Sequence, residues 1–223
     1  SYNSGCSLKS YTLEDILQNH VSIAKEICKC VQPLDYFQAY LHHGFYPFHL
    51  ENRNFSENLI KTMNMMLEVD ILLIKQIDLK YLSKIRRLLY ILMKNAPAGP
   101  NVSQLSVEIE TSRATIMNYI KYLRDARLLN LLYAEGEEFP KKPKQIYVQN
   151  TNLMYAISPK GIDKETERKT FFYNALHVKH KVNTSRYQND FCIDQHYHFK
   201  CDSKQIHKHT AKMYYAVDEI EVG

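Results

Sequence analysis

Tryptophan is absent, and glycine is scarce: six in 223 residues, at positions 5, 44, 99, 136, 161 and 223. These glycines never fall in G-x-x-x-x-G-K-[ST] order, so the chain carries no phosphate-cradling loop of that kind. It has no G-x-S-x-G nucleophile elbow either. No stretch approaches the ~18 uncharged apolar residues that a membrane-crossing helix needs. The first residues lack the apolar centre of a secretory leader and do not begin with Met, which reads as a piece of something longer. Cysteine is limited to Cys6, Cys28, Cys30, Cys192 and Cys201. An odd number at these spacings suggests no disulfide framework and suits a reducing cytoplasm.

What remains is ordinary for a globular protein: 45% hydrophobic and 24% charged residues, enough to build two or three small cores. The formal net charge is +5, and its distribution is uneven. Residues 81–150 hold eleven Lys/Arg against six Asp/Glu, which accounts for all of it. Positive charge gathered on one segment is what contact with phosphates requires.

Residues 101–150 carry the most information. NVSQLSVEIE has the spacing of a short amphipathic helix, Thr111-Ser112 that of a tight turn with a capping serine, and RATIMNYIKYLRDARLL that of a longer helix. LLNLLYAEG and QIYVQN then read as a β-ribbon, joined by EEFPKKPK. Together they predict a helix-turn-helix with a basic wing, a form whose second helix can enter a DNA groove. Ile116, Ile120 and Leu123 are assigned to the core. Arg113, Thr115, Asn118, Lys121 and Tyr122 are assigned to the outer face. Asn can bond adenine bidentately, and Arg can bond guanine or phosphate. Lys141, Lys142 and Lys144 at the wing tip could reach a flanking phosphate or the minor groove. The same module also serves as a protein-binding surface.

The expected class is α+β, mostly helical, in three segments. Residues 1–77 read as helices: Thr12 caps the first, Pro33 opens a second that Gly44 closes, and Ser56 starts a third. The second segment, 78–150, begins with the amphipathic YLSKIRRLLYILMKN and contains the winged unit. The third, 151–223, reads as a polar linker (SPKGIDKETERK), a helix (FFYNALHVKH) and two or three strands. In NDFCIDQHYHFKC, residues alternate, which argues for a half-buried strand or hairpin. Cys192, His196, His198, Cys201, His207 and His209 are potential zinc ligands, yet their spacing matches no structural zinc pattern, and no metal site is assigned to them.

Over nearly its whole length the chain resembles the C-terminal half of a prokaryotic AAA+ ATPase family. The matching strings are SLKSYTLEDILQNHVSIAKEI, FQAYLHHGFYPF, NVSQLSVEIETSRATIMNYIKYLRDARLL, KPKQIYVQNTNLMYAI and DSKQIHKHTAKMYYAVDEIEVG. The resemblance implies that 1–77 trail an ATPase core, that 78–150 form the winged helix, and that 151–223 form a small α/β unit similar to the PD-(D/E)XK nuclease fold. ATP and Mg²⁺ would belong to an N-terminal ATPase domain, and no cofactor is expected in this chain. Such nucleases hold Mg²⁺ on clustered acids. Aligned through Phe172-Tyr173-Asn174, the helix glutamate of the family falls on Lys169. Its acidic strand string falls on Gln188-Asn189-Asp190-Phe191, and its later glutamate falls on Lys200. Ammonium groups at two acidic positions should repel Mg²⁺. Lys169, Lys200 and Lys204 would then be left for phosphate contacts.

The sequence therefore points to a non-catalytic chain whose winged helix meets DNA or a protein partner, with no membrane association and no catalytic residue. Two alternatives stand beside it. One is a metal-dependent nuclease recruiting Glu167, Asp190, Asp194 and Asp202. The other is a module that binds only protein.

Overall fold

The computed structural model describes residues 9–51, 54–74, 77–158, 161–185, 190–202, 213–220 and 222. Its first helix, α1 (Leu13–Cys28), is opened by a reciprocal cap between Thr12 and Asp15, and α2 (Pro33–Ala39) starts on the proline. A π-type turn over Tyr40–Gly44 ends α2. The third helix, α3 (Phe55–Met66), is capped by Asn54, slightly ahead of the Ser56 start expected from sequence. Asn54 wins because its side-chain oxygen accepts from the Glu57 amide, the bond an N-cap must supply.

Next come α4 (Leu82–Asn95), α5 (Val102–Glu108) and α6 (Arg113–Asp125). α4 and α6 expose polar residues on one side and bury a stripe on the other, whereas α5 buries Leu105. Ile85, Leu88 and Leu89 of α4 and Ile116, Ile120 and Leu123 of α6 are wholly inaccessible. Ser112 caps α6 by accepting from the Thr115 amide. The ribbon follows as β1 (Leu129–Ala134) paired antiparallel with β2 (Gln145–Val148). Ala98 adds a single antiparallel bridge to Ile146. Gly99 is needed beside it, because a Cβ there would stand 2.7 Å from the Lys144 carbonyl oxygen.

The chain then forms α7 (Thr151–Ile157), α8 (Lys164–Leu176), β3 (Val182–Thr184), β4 (Phe191–Ile193), β5 (Tyr197–Asp202) and β6 (Tyr214–Val217). Much of the stretch expected to be a polar linker is the first half of α8. Asp163 caps it by accepting from the Thr166 amide, and Glu165 and Glu167 sit in its first turn, where the helix dipole favours acids. Few apolar residues lie there, so the periodic signal was missing. The alternating stretch expected as strand or hairpin is a hairpin, β4 turning into β5 at Asp194 and Gln195, both with positive φ.

One mixed sheet orders the strands β2-β1-β3-β4-β5-β6. β1 pairs with β3 in parallel, and Asn183 adds side-chain bonds to the Tyr133 and Ala134 carbonyls at 3.3 Å each. The ribbon after α6 is thus continuous with the C-terminal strands. Helix α8 lies on the sheet, with Phe172 against Phe191 and Phe199, and its Tyr173 hydroxyl donates to the Leu131 carbonyl.

Cys28, Cys192 and Cys201 carry free thiols, whereas Cys30 is disulfide-bonded. The expectation of no disulfide framework suited to a reducing cytoplasm therefore missed the bridge at Cys30: pairing follows from spatial approach, which spacing along the chain does not encode. Among the described residues no helix is long and apolar enough to cross a membrane.

Candidate functional site

The outer face of α6 is the first candidate. Arg113 and Asn118 are exposed; Thr115, Lys121 and Tyr122 are half-buried. Thr115 is already engaged, its hydroxyl 2.8 Å from that of Ser112, so capping occupies the group assigned to outward contact. Lys121 reaches over the connection between β1 and β2: its Nζ lies 5.0 Å from the centre of the Phe139 ring, a cation–π distance. That contact joins the outer face of α6 to the ribbon. Lys141, Lys142 and Lys144 are exposed on the same connection. Lys141 and Lys144 lie 3.5 and 3.6 Å from Glu137. Such solvent-exposed pairs hold their ammonium groups weakly, roughly 0–1 kcal/mol each, so they can exchange partners.

The second candidate is the position that the nuclease resemblance singles out. Lys169 Nζ sits between two carboxylates, 2.5 Å from Glu165 and 2.7 Å from Asp190. Burial works to lower the Lys169 ammonium, but its bonds to Asp190 and Glu165 outweigh that and hold it above the usual lysine range. The other Asp190 oxygen accepts from the Cys201 amide at 2.8 Å. Burial, reinforced by Asp190, pushes the neighbouring Tyr147 phenol and Cys201 thiol up, so both stay neutral. A cation is present here, and it is the chain's own.

Lys200 is not part of this cluster. Phe199 and Cys201 face α8 with the core, so the pleat turns Lys200 to the other side of β5, where it pairs with Asp202 at 3.4 Å. The expectation of two ammonium groups in one former metal cage is thereby corrected: the strand register separates them. Gln188, Lys204, His207 and His209 lie outside the described residues.

The acids of the nuclease alternative each have partners of their own. Glu167, 4% exposed, accepts from the Tyr155 hydroxyl and from Lys164 at 2.8 Å. Asp194 accepts from His180 at 2.6 Å and from the Lys181 amide. Burial alone would raise Asp194, but these bonds lower it overall. Among the described residues, no three His, Cys, Asp or Glu are grouped to hold a metal ion. Cys192 is buried, His196 packs its ring edge on Tyr197, and His198 meets Ser185.

Sequence reasoning missed a groove of about 750 Å³ between α2, α8 and the end of β6. Leu34, Phe37 and Leu41 line one wall and Phe171 the other, with Glu167 and the Arg168–Asp218 ion pair at 2.7 Å on its polar margin. The spacing of Leu34, Phe37 and Leu41 at i, i+3 and i+7 was the available signal, since it marks one helix face.

Residues 34–164, more than half of the chain, match the family described as Domain of unknown function (DUF8612). The chain belongs to this DUF8612 family. No curated protein and no solved structure matches it. The DUF8612 region starts in α2, contains the whole unit from α4 to β2, and ends at the first residue of α8. It thus contains the α6 face and the ribbon but excludes the Lys169–Asp190 cluster.

Proposed function

We propose that this DUF8612 chain is the non-catalytic C-terminal part of an AAA+-type ATPase, and that α4 to β2 form a winged helix that grips duplex DNA. In this reading α4, α5 and α6 are the three helices, the Ala98 bridge is the short first strand, and β1 and β2 with the connection between them are the wing. The single observation that carries it is the Lys121–Phe139 contact. It brings the outer face of α6 against the connection that carries the wing lysines, the arrangement that a groove contact flanked by phosphate contacts would use.

The α8–β3–β4–β5–β6 layer is read as a nuclease-like scaffold that does not cut. What supports this is the Lys169 ammonium between Glu165 and Asp190. A fixed positive charge there opposes a divalent cation by Coulomb repulsion at short range. The scaffold then adds a second contact surface. ATP hydrolysis belongs to the domain that the AAA+ resemblance implies.

The test is a fluorescence-anisotropy titration of a labelled duplex at increasing salt. Log affinity should fall linearly with log salt, by roughly 0.9 per phosphate neutralised. Absence of binding even at low ionic strength rejects the DNA reading and leaves a protein partner for the same surface.

A further inference from the structure

We infer that α6 selects an A·T base pair in the major groove, with Asn118 reading the adenine and Ala114 packing on the thymine methyl. The inference rests on the DNA reading above and adds a specificity to it. Ala114, Asn118, Lys121 and Asp125 follow i, i+4, i+7 and i+11 spacing, so they form one stripe. This stripe lies opposite the buried Ile116, Ile120 and Leu123. Ala114 and Asn118 are both exposed.

The other members of this face are committed elsewhere. Lys121 is drawn over Phe139 toward the wing. Asp125, at the far end, is bonded twice by Arg124, at 3.1 and 2.8 Å. Thr115 is tied to Ser112. Arg113 is the first residue of α6 and lies one helical step to the side of Ala114, at the margin where a phosphate would stand. Lys84, whose ammonium bonds the Glu110 main-chain carbonyl at 2.7 Å, fixes the backbone on the approach to the turn. The centre of the stripe is left to one carboxamide and one methyl.

That pair has a defined complement. A carboxamide offers a donor and an acceptor side by side, which matches N7 and the N6 amino group of adenine, and a small apolar side chain suits the C5 methyl of thymine. Guanine presents two acceptors there, so a carboxamide edge laid against it sets its own acceptor oxygen against one of them. A small residue at position 114 also lets the first turn of the helix approach the groove floor.

The experiment uses the whole chain and three labelled duplexes of equal length: one A·T-rich, one wholly G·C, and one A·T-rich with deoxyuridine for thymidine. The A·T-rich duplex should bind on the order of 10-fold tighter than the G·C duplex. Removal of the thymine methyls should weaken binding roughly 3-fold. Asn118→Ala, at an exposed position, should erase the preference while the salt slope stays unchanged. Equal binding of A·T and G·C duplexes, or a preference that survives Asn118→Ala, overturns the inference while duplex binding itself stands. If no duplex binds at low salt, the DNA reading fails and this inference fails with it.

Discussion

The side-chain amide of Asn152 donates to the Leu41 carbonyl at 2.8 Å, across 111 positions of chain. It also donates to the Tyr40 carbonyl, and its oxygen accepts from the Phe45 amide. One fully buried residue thus satisfies three backbone groups released where α2 passes through its π-type turn. Asn150 works beside it: it caps α7 at the Leu153 amide and donates to the Tyr46 hydroxyl. These asparagines and their partners stand in two of the strings on which the family resemblance rests. Their role here is to hold those strings together.

Asn152→Leu nearly keeps the volume and removes all three bonds, leaving buried polar backbone groups without partners. The expected loss is about 3 kcal/mol, since each orphaned group costs on the order of 1–3 kcal/mol before any relaxation. Urea denaturation followed by circular dichroism measures it. A loss under about 1 kcal/mol would mean that water or a shifted backbone replaces the amide.

Lys169→Met leaves Glu165 and Asp190 without their shared cation. Charge-assisted hydrogen bonds contribute roughly 1.5–3 kcal/mol when shielded, and partial solvent access trims this to about 1–2 kcal/mol at neutral pH. Lys169 is held above its ordinary 10.5, so the increment is complete below that value and is lost as pH rises through the folded-state value. Stability curves of the native chain and Lys169→Met should therefore converge in alkaline solution. Curves that stay parallel into that range would show that the ion pair adds nothing to stability.

Lys141→Ala with Lys142→Ala and Lys144→Ala changes three exposed residues and should leave thermal stability within about 0.5 kcal/mol. On the DNA reading, affinity for every duplex falls together, and the salt slope drops by roughly 0.9 for each lysine that met a phosphate. A loss confined to one base sequence would instead make the wing a reader of bases.

How far such features can be read from the chain differs by element. The unit from α4 to β2 was legible because its caps and periodicity are local: Ser112 ends a turn and Ile116, Ile120 and Leu123 mark one face. The first half of α8 was not, because Lys164 to Lys169 bury only Glu167, which is made tolerable by Tyr155 and Lys164. Asp190 was singled out only by the resemblance, and its pairing with Lys169 depends on how α8 sits over β4. The separation of Lys169 from Lys200 depends on strand register, and a shift of one residue would have put Lys200 on the α8 side. The groove beside Phe171 needs three elements distant in sequence, and the apolar face of Leu34, Phe37 and Leu41 marks only one of its walls.

The nuclease alternative is first tested on the native chain. Purified chain incubated with supercoiled plasmid and Mg²⁺ or Mn²⁺ should leave the plasmid intact, because Asp190 is spent on Lys169 and on the Cys201 amide. Metal-dependent cleavage needs carboxylates free to take a divalent ion. Lys169→Glu supplies the opposite case. It would place a third acid beside Glu165 and Asp190, and calorimetry should then detect Mn²⁺ binding that the native chain does not show. Metal-dependent nicking by the native chain, abolished by Asp190→Ala, would falsify the non-catalytic reading, since the carboxylate would have to leave its ammonium partner to bind metal.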